Sequence, residues 1–188
     1  MKFLVTLFLA ISVLAPSAVR AGEWEVGPTV GSRVPALHAT DINGRSVSLG
    51  ELSGKTGLVL VFFRSAKWCP YCQKQLGELT EALGPLGARG YKIAAISYDD
   101  PAVLAQFTAR RGINYPLLAD KGSVTIDDWK LRDSRYAPGS YAWGVPYASI
   151  YILSPKGVLR AKLAEEDYKL RPPLNLILST IDGLPKPR

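Results

Sequence analysis

The chain has 188 residues, 47% of them hydrophobic and 21% charged, with a formal net charge of +7. That length fits one domain with a full hydrophobic core, and the composition excludes both wholesale disorder and a multi-span membrane protein. Basic side chains such as Arg110, Arg111, Lys130, Arg135 and Lys156 are scattered rather than blocked, as on a solvated surface, which argues against nucleic-acid binding.

The N-terminus has the three parts of a secretory leader: Lys2, the apolar run from Phe3 to Leu14, and a small-residue stretch ending at Ala21. The run is about 12 residues, short of the roughly 20 that span a bilayer as a helix. Residues 1–21 are therefore expected to be a cleaved signal peptide and residues 22–188 the mature domain. The expected location is periplasmic or secreted, where disulfides persist. Membrane contact is expected only if the leader stays attached.

Ala36 to Ala39 and Ser46 to Leu49 flank Asp41-Ile42-Asn43-Gly44, a hairpin signal. Residues 58–63, Leu-Val-Leu-Val-Phe-Phe, form a continuous apolar run suited to a strand buried on both faces. After the turn Arg64 to Trp68, a helix is expected from Pro70, with Leu76, Leu79, Leu83 and Leu86 on one face and Pro85 and Gly87 at its end. Tyr91 to Ser97 reads as a second strand. Asp99 and Asp100 then cap a helix that begins at Pro101 and ends near Gly112. Leu117 and Leu118 mark a short strand, and residues 121–144 a loop with at most one helical turn. Ser149 to Leu153 and Val158 to Leu163 are strands around the turn Ser154-Pro155-Lys156-Gly157. Pro172 and Pro173 open a terminal helix carrying Leu174, Ile177, Leu178 and Ile181.

Both cysteines of the chain lie in one tetrapeptide, Cys69-Pro70-Tyr71-Cys72, at the start of a helix. A disulfide-held secreted scaffold would scatter its cysteines to close long loops. Two thiols at this spacing suit exchange instead: Cys69 attacks a substrate disulfide and Cys72 resolves the mixed disulfide. Unpaired N–H groups at the helix start favour the Cys69 thiolate, and Cys72, one turn in, is expected to be less exposed and harder to ionise. Pro70 takes the first helical position, where its missing N–H costs nothing. A closed zinc site needs two more thiolate or imidazole ligands, and the chain has one histidine. Haem attachment needs a histidine after Cys72, where Gln73 stands. A copper site of Cys69, Cys72 and His38 stays as a lesser alternative, with a copper-handling chaperone as the function it implies. No metal or organic cofactor is otherwise expected.

Trp68-Cys69-Pro70-Tyr71-Cys72 after a hydrophobic strand resembles the active site of the thioredoxin superfamily. The wider chain resembles its redoxin branch, which includes the alkyl hydroperoxide reductase/thiol-specific antioxidant (AhpC/TSA) proteins and exported thioredoxin-like proteins. The similarity runs from Val34-Pro35 through Asp41-Ile42-Asn43-Gly44-Arg45, Leu52-Ser53-Gly54-Lys55 and Leu117-Leu118-Ala119-Asp120 to Pro155-Lys156-Gly157. The resemblance implies an α/β thioredoxin-like fold, a central mixed sheet flanked by helices, with an N-terminal β-hairpin extension. It also implies a cis Val145–Pro146 bond facing the CxxC, with the Val145 backbone pairing to substrate. Trp68 and Tyr71 become an apolar rim on which substrate packs.

The implied activity is thiol–disulfide exchange on cysteine-containing proteins or small disulfides, with a redox partner that the sequence does not identify. The alternative is a peroxiredoxin-like thiol peroxidase with an antioxidant role. Against it, Phe62 and Ala66 stand where a peroxidatic Pro-x-x-x-Thr-x-x-Cys pattern has its proline and threonine, and Ala148 where the peroxide-polarising arginine lies. Phe63 occupies the position of the buried acid of thioredoxin. Glu78 is a possible substitute for that acid, and Arg64 and Lys67 are the nearest candidate cations for the thiolate.

Overall fold

The computed structural model describes residues 26–185, so the expected leader at 1–21 lies outside the described residues. The hairpin forms from Ala39–Thr40 (β1) and Ser46–Val47 (β2). Its turn is held by the Asp41 carboxylate, which accepts the N–H groups of Asn43 and Arg45 at 2.9 and 3.0 Å. Gly44 supplies the left-handed residue at φ +81°. A short helix, Leu49–Leu52 (α1), follows with a capping box between Ser48 and Glu51.

The central strand is Gly57–Phe62 (β3), buried along its whole length. Tyr91–Ser97 (β4) and Leu117–Ala119 (β5) continue the sheet in parallel, while Ser149–Leu153 (β6) and Leu159–Ala164 (β7) extend its other side antiparallel. The seven strands run in the order β2-β1-β5-β4-β3-β6-β7, so the hairpin extends one edge. This is the mixed sheet and hairpin extension that the family resemblance implies.

Side chains alternate across the sheet. Val59, Val61 and Phe63 face one apolar layer with Leu76, Leu86, Leu104, Phe107 and Ile177. Leu58, Leu60 and Phe62 face the other, with Trp129, Tyr151 and Leu159. The first layer is contributed by helices Pro70–Glu78 (α2), Leu83–Ala88 (α3), Pro101–Arg111 (α4) and Leu174–Asp182 (α6). Val124–Asp128 (α5) serves the second, within the segment expected to be a loop with at most one helical turn. That segment is less peripheral than its composition suggests, since Ile126, Trp129 and Leu131 are fully buried.

Two capping and helix expectations change. The helix after the CxxC is interrupted by a 3-10 turn at Leu79–Ala82, and Pro85 lies inside α3 rather than ending it. Proline lacks an N–H and its ring crowds the preceding turn, so the tighter turn takes up the break before the helix resumes. Asp100 is the N-cap residue of α4 but makes no side-chain cap bond; its carboxylate pairs with Lys121 at 3.0 Å. Asp99 points elsewhere.

Candidate active site

The chain leaves β3 at Phe62 and enters α2 through the turn Arg64 to Trp68, which Asp99 holds from beneath. Its Oδ1 accepts the Ser65 hydroxyl at 2.8 Å, and its Oδ2 accepts the Ala66 N–H at 2.6 Å and the Ser97 hydroxyl at 3.0 Å. Burial pushes the Asp99 carboxyl up from its usual range, and the hydrogen bonds from Ala66, Ser65 and Ser97 oppose that rise in part. Gln73 pins the turn from the helix side, donating to the Ala66 carbonyl at 2.8 Å.

Cys69 is the N-cap of α2, with an extended backbone and Pro70 following it. Its sulfur is bonded to that of Cys72, with Cα atoms 5.3 Å apart, and accepts the Cys72 N–H at 3.3 Å. An N–H at the helix start that has no backbone acceptor thus points at the sulfur expected to attack substrate. The expected difference in exposure is not seen: Cys69 is 1% exposed and Cys72 0%. Residues 168–171 pack over this end of α2. The rings of Tyr71 and Tyr168 meet edge to face at 6.0 Å, and Arg171 Nη2 lies 3.6 Å from Cys72 Sγ.

Of the two expected rim residues, Tyr71 is exposed. Trp68 is half-buried, its Nε1 donating to the Tyr98 hydroxyl at 3.0 Å and its ring edge-on to Tyr141 at 5.3 Å, so it serves as a wall as well as a rim. Beside Tyr71 runs a groove of about 330 Å³, lined by Gln75, Leu79, Arg171, Pro172 and Leu174.

The proline-loop expectation is corrected. Among the described residues no peptide bond is cis, so Val145–Pro146 is trans. Val145 is fully buried, its N–H donates to the Ala142 carbonyl at 3.1 Å and its own carbonyl accepts the Asp133 N–H at 2.9 Å. Pro146 is bridged to Arg132, and the Tyr147 N–H reaches the Leu131 carbonyl at 2.7 Å. This segment is consumed by internal pairing with 131–133 and offers no free Val145 backbone to a substrate. The preceding loop reaches the site through Tyr136 and Tyr141 instead.

Among the described residues no three His, Cys, Asp or Glu side chains form a group able to hold a metal ion. The copper alternative loses its third ligand, because His38 is exposed and lies 3.6 Å from Asp128. Lys67 is exposed on the surface, whereas Arg64 is buried, its guanidinium over the rings of Trp68, Tyr136 and Tyr168 at 4.9, 5.2 and 4.2 Å. Glu78 is exposed and pairs with Lys74 at 3.7 Å, and Phe63 is buried in the same apolar layer as Cys72.

Arg171 and Asp99 are the two site residues that the sequence does not single out as such. Asp99 had one available signal, its place just past the carboxyl end of a central strand, where α/β sheets gather functional groups. Arg171 had none, being 99 positions from its sulfur partner.

Known proteins of two kinds resemble this chain. The chain is 32% identical over 117 residues to a putative peroxiredoxin of Mycobacterium tuberculosis (Rv2521), covering 62% of this chain and 73% of that one. It is 32% identical over 93 residues to the thiol-disulfide oxidoreductase ResA of Halalkalibacterium halodurans, covering 49% of this chain and about half, 51%, of ResA. The crystal structure of peroxidoxin BcpB from Mycobacterium tuberculosis superposes with a TM-score of 0.71 at 18% identity, over 85% of this chain and 98% of that one, which speaks for the fold. Residues 30–162 match the AhpC/TSA family, and the chain belongs to that family.

Proposed function

We propose that this protein is an exported thiol–disulfide oxidoreductase, acting through Cys69 as nucleophile and Cys72 as resolving thiol on protein or small disulfides. The observation that carries the reading is the Cys69–Cys72 disulfide at the N-cap of α2, with the Cys72 N–H directed at Cys69 Sγ. In the reducing direction the Cys69 thiolate attacks a substrate disulfide, one substrate sulfur leaves as thiolate, and a mixed disulfide forms. Cys72 then attacks Cys69 Sγ, the intramolecular disulfide closes, and the second substrate thiolate leaves. Two electrons pass from protein to substrate. Tyr71 and the adjoining groove offer the surface on which the substrate chain lies. The N-terminal sequence supports export, and a redox partner of disulfide or dithiol chemistry restores the pair after each turnover.

The test is a dithiol-dependent insulin reduction assay on Cys69→Ser. Loss of activity to background is expected, and wild-type activity would remove the assignment.

A thiol peroxidase is the second reading, favoured by the peroxiredoxin relative. It requires peroxide to oxidise Cys69 to a sulfenic acid, releasing water, and Cys72 to condense with it. Ala66 offers only its backbone N–H, already bonded to Asp99, where a peroxidatic site has a hydroxyl. Stopped-flow oxidation by hydrogen peroxide is therefore expected to be no faster than for a free thiol. A much faster reaction would make the peroxidase the primary activity.

A further inference from the structure

We infer that Arg171 is a catalytic residue of the dithiol: it holds Cys72 as a thiolate in the reduced protein and so makes the Cys69–Cys72 pair a better acceptor of electrons. The inference rests on the reading of this pair as redox-active.

Arg171 reaches the site from a turn beyond the family-matched region, which ends at residue 162. Its Nη1 is held by the carbonyls of Tyr168 and Leu170, leaving Nη2 3.6 Å from Cys72 Sγ. Arg64, only 2% exposed, lies close enough for its charge to act on Arg171. Neither guanidinium takes part in a salt bridge among the described residues, and the Nε atom of each is buried with no hydrogen-bond partner. Burial, and then Arg64, bring the Arg171 pKa down to about 10, with Asp167 and Tyr168 opposing; the group still carries its charge at neutral pH. Other ionisable groups around this end of α2 are Asp99 beneath the turn, Tyr136 against Arg64, Tyr71 and Lys169 in the groove beside Arg171, and the exposed Lys67, Lys74 and Glu78.

Two neighbouring cations in a poorly solvated site, with the exposed Asp167 as the carboxylate that acts on Arg171, are unfavourable without a closer anion. In the disulfide the sulfurs are neutral; in the dithiol, Cys72 supplies the anion. The arginines thus stabilise the reduced form selectively, which is what makes a disulfide oxidising. A low-pKa Cys72 is also the better leaving group. In a single turnover a substrate thiolate attacks Cys69 Sγ, the Cys69–Cys72 bond breaks, and its electron pair goes to Cys72 Sγ beside Arg171. A second substrate thiolate then attacks the substrate sulfur of the mixed disulfide, and Cys69 leaves as thiolate. The substrate dithiol has lost two electrons and become a disulfide, with the protein disulfide as oxidant.

The experiment compares Arg171, Arg171→Lys, Arg171→Gln and Arg171→Leu in the full-length protein. In a Cys69→Ser background, thiolate absorbance against pH reads Cys72 alone. With both cysteines present, equilibration against glutathione buffers reads the pair. Arg171→Leu and Arg171→Gln are expected to raise the Cys72 pKa by about one unit. They should also shift the glutathione equilibrium about tenfold toward the disulfide, a potential lower by about 30 mV. Arg171→Lys, which keeps the charge, restores most of both. If Arg171→Leu does not fold, Arg171→Gln decides. An unchanged titration and an unchanged glutathione constant in a folded neutral variant would overturn the inference. If the parent pair fails to exchange with glutathione at all, the oxidoreductase reading fails instead, while the Cys72 titration still reports on Arg171.

Discussion

Asp99 links the sheet to the reactive turn through one carboxylate that accepts from Ser65, Ala66 and Ser97. Replacing it with alanine orphans the buried Ala66 N–H, so Asp99→Ala is expected to cost roughly 2–3 kcal/mol in urea unfolding. Asp99→Asn separates shape from charge. The folded-state pKa of Asp99 is raised, so its favourable contribution is fully present below the unfolded value of about 4 and is lost as pH rises through the folded value. The stability lead of the parent over Asp99→Asn should therefore widen as pH falls from neutral toward that value. A lead that narrows would mean the carboxylate is stabilised as an anion. The cysteines, Pro70 and Tyr71 were legible because a CxxC at a helix start is a local pattern. Asp99 was legible only through its place just past a central strand and Arg171 not at all, since their roles exist only once the sheet and the C-terminal turn bring distant residues together.

Among the elements, β3 sets the geometry of everything attached to it. It pairs with β4 on one side and β6 on the other, with Gly57 opening the strand. A Cβ at Gly57 would run into the Leu153 carbonyl of β6, and its φ of +158° already disfavours a side chain. Gly57→Ala should destabilise the fold by about 1–3 kcal/mol, read from the denaturation midpoint. A neutral result would mean that β3 and β6 separate more easily than their pairing indicates. Strands β3, β4, β6 and β7 were readable from apolar runs bounded by turn residues. The break in the helix after α2 was not, because Pro85 is compatible either with a stop or with a tightened turn, and tertiary packing of Leu79, Ala82 and Leu86 selects the latter. The proline loop shows the reverse failure. Gly144-Val145-Pro146 matches a family pattern locally, but pairing with 131–133 decides its conformation.

For the molecule as a whole, the sheet divides two apolar layers, and the cysteines belong to only one of them. Trp129 sits in the other, fully buried and within 5.1 Å of the Phe62 ring and 5.4 Å of the Tyr151 ring, centroid to centroid. Trp129→Ala should cost about 3–5 kcal/mol of stability while leaving the exchange rate of the folded fraction unchanged. A parallel loss of exchange rate would show that the layers are coupled through the sheet. The order of strands and helices was readable from local patterns, while the α/β class with a mixed sheet came from the family resemblance. The depth of the 121–144 segment was not, because burial of Trp129 depends on its packing with the distant residues Phe62 and Tyr151.

The most direct measurement is mass analysis of Cys72→Ser after incubation with oxidised glutathione. With the resolving thiol removed, the mixed disulfide has no intramolecular exit, and one glutathione should accumulate on Cys69 of the native protein. Absence of that adduct, while the same protein forms it once unfolded, would contradict a nucleophilic Cys69 and with it the dithiol mechanism.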